Sequence, residues 1–294
     1  MTGSEPARVS ASEPQVPERV DALLVPLDGS DFSRVAVPIA ARLAARLGAE
    51  IHLLTAVESV EQVEQRDREL AHIEIPGHIV HRTVLVDRDS AGAIHETLRK
   101  LDNAVACMAT HGRARSAAVL GSVAVDVVAR CRDPLVLVCP YMEPPRHCDG
   151  VVACVDDSPA SAQLVGVAIR WAELLGETCT VLTVAEEVPE PVDGGLARRR
   201  FGPDGDAEGF LAALVEPFLA SGHALHAVVR YDPVSVWGGL YRYLLDHPAT
   251  LVVANTRSWT GLRRLVLGSV AATIVRHSPS PVLVVPRVDR SAPR

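Results

Sequence analysis

The sequence predicts an α/β protein made of two tandem five-stranded parallel-sheet domains, and three observations carry that reading. The chain has 294 residues, enough for about two domains at a usual size of roughly 150 residues each. It also repeats itself: ALLVPLDGSDFSRVAVPIAARLAARLGAEIHLLTAVE at 22–58 is echoed by GVVACVDDSPASAQLVGVAIRWAELLGETCTVLTVAEE at 150–187, and GSVAVDVVARCRDPLVLVCP at 121–140 by GSVAATIVRHSPSPVLVVPR at 268–287. Self-similarity of this length decides architecture before local detail does. Finally, Val/Leu/Ile runs without strict alternation, as strands buried on both faces require, alternate with stretches of helical spacing such as Val35, Ile39, Leu43 and Leu47.

Taken in order, strands of the first copy fall near 22–27, 51–57, 80–86, 103–109 and 135–139, with helices near 32–47, 60–73, 90–101 and 121–131. The second copy places strands near 150–155, 178–184, 224–230, 250–254 and 282–286, again with helices between them. Such alternation implies right-handed crossovers and a parallel sheet with helices on both faces. The domains are expected at 21–141 and 149–288, joined by the proline-stiffened YMEPPRHCDG. Residues 187–206, rich in Gly, Pro and charge, read as a mobile loop, and residues 1–20 as a disordered tail rather than a signal peptide.

Composition narrows the function. Hydrophobic residues make up 48% and charged residues 22%, which is ordinary for a globular fold. No apolar run nears the roughly 18 residues of a membrane span, so no membrane is expected and the cytoplasm is the expected location. A net charge of -7 offers no general attraction for nucleic acid. The six cysteines lack any Cys-x-x-Cys pair and read as reduced, mostly buried thiols. The 11 histidines show no ligand-like spacing, so no metal site of the protein alone is expected.

In open parallel sheets, ligands bind beyond the carboxyl ends of the strands. Asp28 in VPLDGS and Asp156 in ACVDDS stand at the tip of the first strand of each copy. Each can accept from ribose hydroxyls, hold magnesium, or simply cap the following helix. The fourth strand runs into ATHGRARSAAVLGS at 109–122. Gly112 permits a tight turn there, and Gly121 and Ser122 open the next helix, where backbone N–H groups can meet a phosphate. Arg113 and Arg115 add positive charge. On the other reading Gly121 serves packing and Ser122 is only an N-cap. No Walker-type Gly-x-x-x-x-Gly-Lys-Ser/Thr occurs. His111 could act as a base oriented by Asp28 but reads as a polar loop residue, Asp87 and Asp89 read as caps of the helix near Ser90, and Trp237, Tyr241 and Tyr243 read as packing on one helix.

These residues resemble the universal stress proteins in their tandem form, with an adenine-nucleotide-hydrolase-like, Rossmann-like fold, over roughly 21–140 and 150–287. The resemblance rests on the strand-Asp-x-Ser start, the Thr-His-Gly-Arg turn, the Leu-Gly-Ser helix start and the Pro-Val-Leu-Val-Val type last strand. ATP-binding members carry Gly-x-x-Gly, nine residues, then Gly-Ser or Gly-Thr, which implies an adenine nucleotide, ATP with magnesium, across the carboxyl edge. Carried over, the first domain supplies Pro26, Asp28, Ala56, Ala109 and Gly112 for the two glycines, Arg113, then after only eight residues Gly121, Ser122 and Val123. The second supplies Cys154, Asp156, Val184, Asn255 and Ser258 for the glycines, then Gly268, Ser269 and Val270. It ranks below the first, since both leading glycines are replaced and Asp157 adds negative charge that Arg257, Arg263 and Arg264 must offset.

The resemblance thus implies a stress-response protein without significant catalysis, in which ATP occupancy, foremost in the first domain, is coupled to self-association or to an unidentified protein partner. The alternative is a dimeric scaffold whose degenerate loops bind no nucleotide. A transferase or ligase of the same broad fold lacks a candidate nucleophile. In this family the last strands, LVLVC and VLVV, fall on sheet edges, so the two domains are expected to pair as a pseudo-dimer within the chain, with homodimerisation beyond it.

Overall fold

A computed structural model describes residues 17–111, 121–131, 133–140, 147–186, 206–255 and 269–286. Residues 1–16 of the expected tail, 141–146 of the linker and 187–205 of the expected loop lie outside them. The first half runs β1 (Ala22–Pro26), α1 (Asp31–Arg34), α2 (Ala36–Leu47), β2 (Glu50–Val57), α3 (Val63–Ala71), β3 (Val80–Val86), α4 (Ser90–Lys100), β4 (Ala104–Ala109), α5 (Ser122–Arg130) and β5 (Leu135–Val138). The second runs β6 (Val151–Cys154), α6 (Ser161–Leu175), β7 (Cys179–Glu186), α7 (Ala207–Ala220), β8 (Leu225–Asp232), α8 (Val236–Asp246), β9 (Leu251–Asn255), α9 (Ser269–His277) and β10 (Val282–Val285).

The expected single helix over 32–47 is two pieces, and Pro38 is the reason. Its ring would clash with the carbonyl four residues back, that of Arg34, so α1 ends there. In the first turn of α2 the missing N–H costs nothing, because that group has no helical partner anyway. α2 ends on Gly48 at φ 68°, and α6, its counterpart, ends on Gly176 at φ 66°. Each takes the left-handed conformation that only glycine adopts without strain.

The two expected five-stranded sheets are one ten-stranded sheet of order β3-β2-β1-β4-β5-β10-β9-β6-β7-β8. Strands are parallel within each half, and the halves join through the antiparallel pair β5–β10, with Leu283 opposite Val136. The last strands, fully buried LVLV and VLVV, thereby lose their open edges, as the pseudo-dimer expectation required. α2, α3, α6 and α7 cover one face of the sheet, and α4, α5, α8 and α9 the other. Each face holds an apolar cluster drawn from both halves, so the core is continuous across the junction.

An ion pair also crosses the halves. Arg46 on α2 meets Glu177, just past α6, whose side chain is only 4% exposed and also accepts from Thr250 Oγ1 at 2.7 Å. Removing Arg46 leaves a buried carboxylate half-compensated. We expect Arg46→Ala to destabilise the protein by about 2 kcal/mol, below the 3–5 kcal/mol of a fully buried pair because Arg46 is itself one-third exposed. Urea denaturation measures it.

All six cysteines are free thiols. Burial pushes Cys107, Cys154 and Cys179 up to about 12, and Cys131 to about 11 with help from the Asp133 charge. These four stay protonated and chemically inert at neutral pH, as expected of packing residues.

Candidate functional site

In the first half β2 and β3 lie on one side of β1 while β4 and β5 lie on the other, so the strand order reverses between β1 and β4. Crossovers to the left and right leave a crevice there beyond the carboxyl ends. The structure holds a cavity of about 270 Å³ at this place, near the lower end of the roughly 300–1,000 Å³ typical of ligand pockets.

The cavity gathers residues from six elements, four of which carry the expected positions. Pro26 and Asp28 enter from the end of β1, Ala56 from β2, Ala109 from β4, and Gly121, Ser122 and Val123 from the start of α5. These are all of the first-domain candidates within the described residues. Gly112 and Arg113, with Arg115, lie outside them. Leu54, Ile94 and Met108 form an apolar floor that sequence reasoning missed, because each reads as ordinary core. Ser33, Ser90 and Thr110 were missed as well.

Asp28 is not the cap that one reading proposed. Its Oδ1 accepts from Ser30 N at 2.9 Å and Ser30 Oγ at 2.6 Å, while Ser30 caps α1 by accepting from Ser33 N. The turn leaves through Gly29 at φ 82°, a conformation that strains any other residue except Asn or Asp. Here Arg66, which pairs with Glu69, lies where a Cβ would stand. The carboxylate is thus held beside the cavity by its own turn.

α5 begins differently from expectation too. Gly121, not Ser122, is the N-cap; it has no side chain to bond the first turn, and Ser122 is the first helical residue. The positive end of the helix therefore meets the cavity without a competing side-chain acceptor at the cap. Gly121 N donates to Thr110 O at 2.8 Å, tying the end of β4 to the start of α5. By contrast α4 is closed as expected: Asp89 accepts from Gly92 N, Asp87 from Asp89 N, and Arg130 donates to Asp89 at 2.6 Å, holding that carboxyl below its usual range.

His111 lies in the loop after β4, as expected, yet it is buried. It is 6% exposed, lines the cavity, and places Nδ1 2.8 Å from Thr110 Oγ1.

In the second half Cys154 and Asn255 end β6 and β9, Asp156 lies two residues past the end of β6, and Val184 two residues before the end of β7, at the places the duplication requires. Ser258 and Gly268, with Arg257, Arg263 and Arg264, lie outside the described residues; Ser269 begins α9 and Val270 follows. Asp156 Oδ1 accepts from Ser158 N at 3.1 Å, repeating the first-half turn. Val184, in the place of Ala56, is 4% exposed and packed in the core. Tyr243 is buried on α8 and Trp237 packs against Tyr241 at 5.3 Å, as expected of packing residues.

Two histidines meet across strands rather than along the sequence. Strand pairing sets His52 opposite His81, with their rings stacked at 4.4 Å and Glu50 Oε2 2.9 Å from His81 Nε2. No spacing along the sequence shows this, because the residues meet through register. Burial, and then the neighbouring His81, hold the His52 imidazole below its usual range, against the pull of Glu50.

The comparisons with known proteins agree with this architecture. The chain matches the Universal stress protein family over residues 20–139 and again over 149–286. Among solved structures, a universal stress protein from Archaeoglobus fulgidus DSM 4304 superimposes with TM-score 0.66 at 19% identity, covering 91% of this chain and 98% of its own. A protein of unknown function from Pseudomonas aeruginosa PAO1 superimposes with TM-score 0.61 at 16% identity, covering 92% and 93%. Comparison with curated proteins gives no match. Among the described residues no helix is long and apolar enough to cross a membrane.

Proposed function

Because the chain belongs to the universal stress protein family, with two copies of its domain in one polypeptide, we propose that the first-half cavity binds ATP with magnesium and that occupancy, rather than turnover, is the output. One observation carries this reading: the described first-domain positions chosen from the sequence line one cavity at the strand-order reversal. The residues suit the ligand chemically. Leu54, Ala56, Ile94 and Met108 offer an apolar surface for an aromatic base, Asp28 an acceptor for ribose hydroxyls, and the open start of α5 a place for phosphate. Magnesium would balance the polyphosphate charge beside Asp28.

The protein then acts in a cytoplasmic stress response by coupling occupancy to self-association or to a protein partner. A scaffold role suits the second half, where Val184 packs into the core and Asn255 donates to Ala160 O at 3.4 Å. For the whole protein that scaffold reading draws support from Ala109, which stands where ATP-binding relatives carry glycine. Purifying the protein without added nucleotide, denaturing it and chromatographing the supernatant separates the two. Adenine nucleotide is the expected release; no released nucleotide would favour the scaffold, and guanine nucleotide alone would refute the assignment.

A further inference from the structure

We propose that Glu50, His52 and His81 form a zinc-binding site. Glu50 and His52 are two apart on β2 and so project from the same face, and the parallel register sets His81 of β3 beside His52. Glu50 Oε2 lies 2.9 Å from His81 Nε2 and 3.9 Å from His52 Nε2, and the three donor atoms all fall within 4.8 Å of one another. Zinc bonds of about 2.0–2.1 Å in tetrahedral geometry place ligand atoms roughly 3.3 Å apart. The two distances from Glu50 bracket that value, and turning the two stacked imidazoles toward a common point would close the site.

The donor set is two imidazoles and one carboxylate, which suits zinc and leaves a fourth position for water. Glu50 and His81 are 46% and 48% exposed, so a metal can enter. The site stands at the start of β2, six residues from Ala56 and hence about 20 Å from the cavity end of the strand. It is separate from the nucleotide site. β3 pairs only with β2 at the sheet edge, so the metal would clasp an outer strand to its neighbour.

The second half supplies an internal control. With the same register, His226 lies opposite Thr180, and Thr178 takes the place of Glu50, so that half has one ligand instead of three.

Equilibrium dialysis of the full chain against zinc at neutral pH, with elemental analysis, tests the proposal. We expect one tightly bound zinc per chain, weakened about tenfold or more by His52→Gln, His81→Gln or Glu50→Gln, since even outer-shell lesions cost that much. His226→Gln should leave uptake unchanged. Zinc should also raise the Tm of the wild type and not that of His81→Gln. Should His52→Gln fail to fold, the half-exposed His81 and Glu50 still carry the test. Equal zinc uptake by the wild type and His81→Gln, or loss of uptake in His226→Gln, would overturn the site.

Discussion

Ala56→Phe is expected to weaken ATP binding by more than about 100-fold, roughly 2.8 kcal/mol, while leaving the fold intact. Ala56 faces the cavity from the carboxyl end of β2. A phenyl ring, which covers roughly 150–250 Å² when buried, would take up space in the cavity that Leu54 and Met108 also line and that a base would need. Because the residue is partly exposed on the cavity wall rather than packed in the core, the ring enters the cavity. Fluorescence titration with an ATP analogue reads the loss, and far-ultraviolet circular dichroism the retained fold. The corresponding Val184→Phe is a contrast of opposite kind. Val184 is buried against Gly239, so that variant should lose stability with little direct effect on binding at the first-half cavity.

Trp171→Ala is expected to destabilise the whole molecule by about 3–5 kcal/mol. Trp171, on α6, is fully buried in the apolar cluster that both halves share. Trp171→Phe should cost much less. Among the described residues the indole Nε1 has no acceptor, so losing that N–H removes a buried donor whose isolation itself costs about 1–3 kcal/mol. Thermal unfolding of the two variants gives the comparison. Since the core does not stop at the junction of the halves, both should melt in one transition; separate transitions would mean that the β5–β10 seam couples the halves only weakly.

The features most legible in the sequence are those that depend on local apolar patterning. β1, β4, β5, β6, β9 and β10 are buried strands and read as unbroken apolar runs, whereas the exposed edge strands β3 and β8 carry charges such as Arg82 and Arg230. Asp28, Gly121 and Ser122 were legible as cavity residues because a general rule places ligands beyond strand ends, and the duplication marked those ends twice.

Leu54, Ile94 and Met108 were not legible as a cavity floor, since nothing local distinguishes an apolar side chain facing a cavity from one facing a helix. The burial of His111 likewise comes from walls contributed by other elements. The helix break before α2 follows from Pro38 but is masked in the sequence by a strong apolar period on both sides of it. His52 and His81 lie 29 positions apart in sequence order, and only the β2–β3 register makes them neighbours.

The central claim is that the first half, and not the second, binds ATP. Isothermal titration calorimetry of the full chain with ATP and magnesium tests it most directly, run beside Ala56→Phe. One ATP per chain for the wild type, with the heat lost in Ala56→Phe, is the expected result. No heat from the wild type, or binding that survives unchanged in Ala56→Phe, would contradict it.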